Sequence, residues 1–221
     1  NALSGVIAFK QRDANKEKLS GNFRLGSSEA GLTIEGPIND KSSFIFSLRR
    51  SYLQFIFKAF GFSFLPDYWD YQFKLSHEID NNNSIKLIGI GSIDRLTVNE
   101  PDEFDFENQS VIEQIPLTNQ NTETFGLTWR RKYKSVNGFF DLSISNNNLN
   151  NNFIRYKNNL TKSDPTYSNI SRENETKLRF ISNHNVNDLK FSFGFNLMSA
   201  KYTNKTKFDY FNINYSTDLN L

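Results

Sequence analysis

The chain contains no cysteine. Disulfide scaffolds and thiolate metal centres are therefore excluded. It has two histidines and one methionine among 221 residues, so imidazole-rich metal sites are excluded as well. Charge of one sign is also missing. Lys and Arg total 26 against 24 for Asp and Glu, a net of +2, which is too even to argue for nucleic acid. No run of about 18 apolar residues occurs, so a membrane-crossing helix is not expected. The greasiest stretch, residues 55–69, is broken by Lys58, Pro66 and Asp67. The first residues, Asn1-Ala2-Leu3-Ser4-Gly5-Val6-Ile7, read as a strand and not as a leader. The native start is expected upstream.

Aromatic residues, by contrast, are abundant. They make up 15% of the chain, with 22 Phe and 9 Tyr, although mean hydropathy is −0.58. Two situations combine many rings with many Asn and Ser residues. One is a soluble all-β protein with an aromatic core. The other is a membrane barrel whose outward residues are apolar and whose lumen residues are polar.

The dominant periodicity is two. Trp69, Tyr71, Phe73 and Leu75 share one face, with Ile79 in phase, and Asp70, Gln72, Lys74, Ser76 and Glu78 share the other. Leu189, Phe191, Phe193, Phe195 and Leu197 likewise oppose Lys190, Ser192, Gly194 and Asn196. Weaker alternation covers residues 19–25, 30–38, 44–52, 125–133 and 140–144. Nine or ten strands follow, the last depending on residues 207–215. Alternation alone fits either a two-sheet sandwich or a barrel wall.

The connections favour the barrel. Tight turns are expected at residues 39–41, 81–83, 135–138 and 185–188, where Asn, Asp and Gly tolerate positive φ. Long links are expected at residues 55–67, 99–121 and 150–173. Short and long links thus take turns, as in an up-and-down barrel with tight periplasmic turns and longer outer loops. The alternating segments run about 9–11 residues or a little longer, enough to cross a bilayer at a tilt. The rings of Tyr52, Phe55, Phe57, Phe60, Tyr68, Trp69 and Tyr71 fall where an interfacial girdle belongs. Arg50, His77 and Arg131 are in phase with the apolar faces, but all three fall near strand ends, where snorkelling makes them cheap.

These residues resemble a family. The stretch Asn1 to Phe9 resembles the last plug strand of a TonB-dependent outer-membrane receptor. Leu19-Ser20-Gly21-Asn22-Phe23-Arg24-Leu25-Gly26 looks like its first barrel strand. Residues 32–38 and 44–53 look like the second and third, and Tyr68-Trp69-Asp70-Tyr71-Gln72-Phe73-Lys74-Leu75 like a fourth. The wording is typical of Bacteroidota, and the resemblance is carried by residues 1–98. It implies an all-β chain that is a fragment of a transmembrane antiparallel up-and-down β-barrel. Residues 1–12 would end the plug, and residues 13–221 would supply N-terminal wall strands of a barrel of roughly 22 strands. It also implies residence in the outer membrane among its lipids, import of a siderophore, glycan, peptide or vitamin, and energy from TonB through a segment upstream of residue 1. A surface lipoprotein lid of SusD type is compatible with it. The barrel's remaining strands are expected beyond residue 221.

In that frame Arg49, Asp70, Gln72, Lys74 and Glu78 are the lumen-facing candidates. The long loops would gate or capture substrate. The acidic run Glu100, Asp102, Glu103, Asp105 and Glu107 is an extracellular ligand or cation candidate. Its carboxylates suit a hard cation such as calcium, but the EF-hand glycine and final glutamate are missing. His77 and His184 have no partner at metal or triad spacing, and Gly89 and Gly91 suggest a bulge or a close approach by the plug. No catalytic residue or cofactor is expected. Two alternatives stay open: a receptor-like barrel serving as structural subunit of an envelope complex, and a soluble β-sandwich that binds glycan.

Overall fold

The computed structural model describes residues 8–100, 106–134, 137–186, 188–210 and 213–221. Within them lie ten strands and two short helices. The strands are β1 (Ser20–Leu25), β2 (Glu29–Asn39), β3 (Ser42–Ser51), β4 (Phe64–Glu78), β5 (Asn83–Val98), β6 (Leu117–Lys132), β7 (Asn137–Asn158), β8 (Ser163–Val186), β9 (Leu189–Tyr210) and β10 (Ile213–Asn220). The helices are α1 (Leu53–Ala59) and α2 (Phe106–Gln114). All ten strands form one antiparallel sheet in chain order, β1 through β10. Among the described residues no strand pairs β1 with β10, so the sheet is an open up-and-down meander.

Register gives the sheet two unlike faces. Phe46 pairs with Phe73, Phe73 with Gly89, and Gly89 with Phe125. Leu127 pairs with Ile144, Ile144 with Leu178, and Leu178 with Leu197. Because residues opposite each other share a face, these rows form one apolar belt running from Phe23 on β1 to β9. Many of its side chains are exposed, Phe193 by 58%. Among the described residues the buried apolar core is only Ile45 and Ile112. The opposite face carries Glu35, Arg49, Asp70, Lys74, Lys86, Arg130 and Asp141.

The two tryptophans bracket the belt. Trp69 pairs with Ile93 and Trp129 with Ile85, a span of eight steps or ~27 Å along β5. Near one border Arg50 lies 4.6 Å over the Trp69 ring and pairs with Asp67. Near the other, Tyr133, Phe140 and His184 gather around Trp129 and Phe191.

Alternate links take opposite edges, as in any meander, but on the edge expected to carry long links only those after β3 and β5 are long. Residues 40–41, 79–82 and 188 turn at one edge, and residue 187 lies outside the described residues. Residues 135 and 136 of the expected third turn lie outside the described residues. Asp80 closes its turn by accepting from the Asn82 and Asn83 amides at 2.7 and 2.9 Å. These bonds hold its carboxyl below the usual range.

The longer links differ from expectation. The link at residues 55–67 is shorter, because α1 fills its start and β4 begins at Phe64. Pro66 is accommodated because β3 pairs with β4 only as far as Trp69, leaving Pro66 to pair with β5 alone. Gly61, at φ 75°, helps close α1: its amide bonds the Lys58 carbonyl at 3.1 Å and the Phe62 amide bonds that of Phe57 at 2.9 Å. The link at residues 99–121 contains α2 and ends at Leu117.

The expected long loop at residues 150–173 is not a loop. β7 continues to Asn158, turns through residues 159–162, and returns as β8 from Ser163. β7, β8 and β9 are 22, 24 and 22 residues long, well beyond the 9–11 expected. Polar residues fill both faces there, so no apolar period marks the strands. Backbone pairing to neighbours holds them instead, along with amide ladders such as Asn146 to Thr176 at 2.8 Å and Asn169 to Thr206 at 2.7 Å. The candidate strand at residues 207–215 is also corrected. It holds the end of β9 and the start of β10, which pair antiparallel, with residues 211 and 212 outside the described residues.

Gly89 and Gly91 mark no bulge, since β4 and β5 pair without a register shift there. A Cβ at Gly89 would lie 2.3 Å from the Phe73 ring, and one at Gly91 would lie 2.4 Å from the Tyr71 ring. The rings cross the glycines on the apolar face, not on the charged one where a plug was expected, and the missing side chains make room for them.

Candidate functional site

The five lumen candidates share the polar face, but they divide into two groups. Arg49 and Asp70 are register partners. Arg49 Nε donates to Asp70 Oδ2 at 2.8 Å, and its Nη1 reaches Glu29 Oε2 at 3.3 Å. The Tyr68 hydroxyl donates to the same Glu29 oxygen at 2.9 Å, and the Arg49 guanidinium lies 5.6 Å over the Tyr68 ring. Arg49, Tyr68 and Asp70, with Gln72, Asp94 and Thr124, line an open concavity of about 580 Å³. Its groups suit a polar ligand able to exchange hydrogen bonds with a charged pair.

Lys74 and Glu78 are already engaged by the segment before β1. Lys74 is 7% exposed. Its Nζ donates to the carbonyls of Gln11 and Arg12 at 3.1 and 3.3 Å and pairs with Asp13 at 2.6 Å. Lys86 adds a second contact to Asp13 at 3.3 Å. Arg12 grips Glu35 through two bonds of 2.5 and 2.6 Å, and Lys16 meets Glu78 at 2.5 Å. Hydrogen bonding from Lys74 holds the Asp13 carboxyl below its usual range, with the charge of Lys86 helping and burial opposing. Bonding to Glu35 raises the Arg12 guanidinium. A second concavity of about 380 Å³ lies beside this segment, lined by Phe9, Gln11, Lys74, Lys86, Arg130 and Arg179 among others. Arg130 there forms a bidentate pair with Asp141 at 2.7 and 2.6 Å.

Residues 1–12 were expected to end the plug as a strand. Residues 1–7 lie outside the described residues, and residues 8–19 contain no strand. They run along the polar face as an ion-paired strap. Sequence spacing could not reveal this, because partners such as Lys16 and Glu78 are 62 residues apart.

In the acidic candidate loop, Asp102, Glu103 and Asp105 lie outside the described residues. Glu100 follows β5, and Glu107 sits in the first turn of α2. Among the described residues no group of three metal-ligating side chains forms. The histidines do acquire partners that spacing hid. Ser42 Oγ lies 2.9 Å from His77 Nδ1, and Ser182 Oγ lies 2.8 Å from His184 Nε2. Ser182 is fully buried and also bonds the Tyr133 hydroxyl at 2.5 Å. The His184 ring stacks on Tyr133, Phe191 and Phe193. This Ser–His pair is packed among rings on the belt face.

Asn159 was missed as a structural residue. It is 1% exposed. Its amide donates to the carbonyls of Ile112 and Ile115 at 2.6 and 2.9 Å, and its oxygen accepts from the Tyr156 amide at 2.8 Å. It thereby ties α2 to the β7–β8 turn.

Compared with known proteins, the chain matches no protein-family model, no curated protein and no solved structure.

Proposed function

We propose that this sheet is part of the wall of an outer-membrane import barrel of the TonB-dependent receptor type. The carrying observation is the belt: one largely apolar, widely exposed face that crosses the sheet from β1 to β9, backed by a charged face. At the usual tilt of ~35–45° its ~27 Å becomes ~19–22 Å across the layer, against ~25 Å for the outward band of known outer-membrane barrels. The Trp, Tyr, His and Arg side chains at its two borders suit the two interfaces. No helix of the described residues is long and apolar enough to cross a membrane, so strands are the means of crossing in this reading.

In the proposal the polar face is the lumen wall, and the strap at residues 8–18 is the chain entering from the plug. The concavity around Arg49, Asp70 and Tyr68 is on the substrate route. Substrate binds from outside, and TonB-driven rearrangement of the plug releases it inward, with no bond made or broken. A glycan-binding sandwich would need a second sheet against the aromatic face, and all described strands belong to one sheet.

The test is gel mobility of the protein from membrane fractions, with and without boiling in SDS. An outer-membrane band that shifts on heating is expected. A protein that stays soluble without detergent and shows no shift would end the proposal. Loss of growth on one nutrient in a deletion strain then separates import from a structural subunit role.

A further inference from the structure

Beyond the belt, the upper parts of β8, β9 and β10 carry charge unequally on their two faces. The face continuous with the belt bears Arg172, Lys201, Lys205 and Lys207, all exposed. Two carboxylates share it, Asp209 and Asp218, and Asp218 lies 3.3 Å from Lys205 with both side chains 65% exposed. The opposite face is balanced: Glu173 and Glu175 are matched by Arg155 and by Lys177, which meets Glu175 at 2.5 Å. Cations therefore exceed carboxylates on the belt side alone.

Reach decides what such a row can meet. Leu197 is the last belt residue on β9, and Lys201 and Lys207 lie four and ten residues further on. Those steps place them ~13 and ~34 Å along the strand, or ~10 and ~26 Å along the membrane normal at the usual tilt. A phospholipid headgroup layer is only ~5–8 Å thick on each side. Screening confines useful attraction to about a Debye length of ~8–10 Å, so a thin anionic layer engages Lys201 and leaves Lys207 in bulk water. A layer meeting all four cations must be both deep and anionic.

We infer that Arg172, Lys201, Lys205 and Lys207 form a binding row for the phosphorylated or carboxylated saccharide headgroups of a glycolipid outer leaflet. This rests on the membrane-wall proposal. The row holds the barrel in that layer by multiple weak charge contacts spread along β8 and β9, and it orients the tall strands within it.

The full chain, purified in neutral detergent, is titrated separately with lipopolysaccharide micelles and with phosphatidylglycerol vesicles at low and high salt. Wild type is expected to bind lipopolysaccharide more tightly than phosphatidylglycerol, and to lose it at high salt. R172Q/K201Q/K205Q/K207Q should weaken lipopolysaccharide binding by roughly tenfold or more while keeping the heat-shifted band. K201R/K205R/K207R and the opposite-face control R155Q/K177Q should bind like wild type. Unchanged binding in the quadruple variant, equal loss in the control, or equal affinity for phosphatidylglycerol would each overturn the inference and leave the barrel standing. A soluble protein without the heat-shifted band overturns both.

Discussion

Single atoms decide several positions in this sheet. A Cβ at Gly194 would lie 2.2 Å from the Phe180 carbonyl oxygen, and backbone cannot swing aside as a ring can. A Cβ at Gly31 would meet the Leu48 carbonyl oxygen at an ordinary 3.8 Å. Gly194→Ala is therefore expected to destabilise by about 1–3 kcal/mol, and Gly31→Ala by under ~0.5 kcal/mol. Urea unfolding midpoints in detergent micelles would show the difference. Asp80 acts at the same scale. Its carboxyl titrates below the ordinary value of about 3.9, so its help to the turn is full above that pH. The help fades as pH falls through the lower folded value. Amide exchange at Asn82 and Asn83 should speed up in acid, and Asp80→Ala should exchange fast already at neutral pH.

Among the elements, the strap and α2 are held by few groups. Lys74 gathers two carbonyls and one carboxylate of the strap. Lys74→Met should cost about 1–3 kcal/mol and expose Arg12, Lys16 and Lys18 to trypsin. The Asp13 carboxyl is lowered, so its share of the tether is present above about pH 4 and lost in stronger acid. Cleavage that is equally slow in wild type and variant would show that the strap is held by other means. Asn159→Ala should release the α2 carbonyls at a similar cost, seen as faster exchange confined to α2 and the β7–β8 turn. The sequence made β4 and the lower half of β9 readable, because rings alternate with polar groups there. The upper halves of β7 and β8 were not readable, because Asn147, Asn148, Asn150 and Asn151 put amides on both faces. The assignment of Arg49, Asp70, Gln72, Lys74 and Glu78 to one face followed from period two. That Lys74 and Glu78 would be taken by Asp13 and Lys16 did not, since only the three-dimensional path of the strap joins them.

For the whole molecule, depth in the proposed bilayer should govern tolerance. Leu127 lies within the belt, while Asn148 lies above it on the same face. Leu127→Arg is expected to cost about 2–4 kcal/mol in a folded barrel and Asn148→Arg about 0–1. Equal effects in lipid vesicles would contradict the placement of the belt. The rising strand lengths matter here too. From β1 to β8 they grow from 6 residues to 24, so the rim is stepped and not level. Such a parapet has a low side at β1 to β3 and a high side at β7 to β9. A bulky visitor arriving from above would meet the tall side first and be guided down the slope toward the low one. Direction of approach would then be written into the wall itself, before any loop moves.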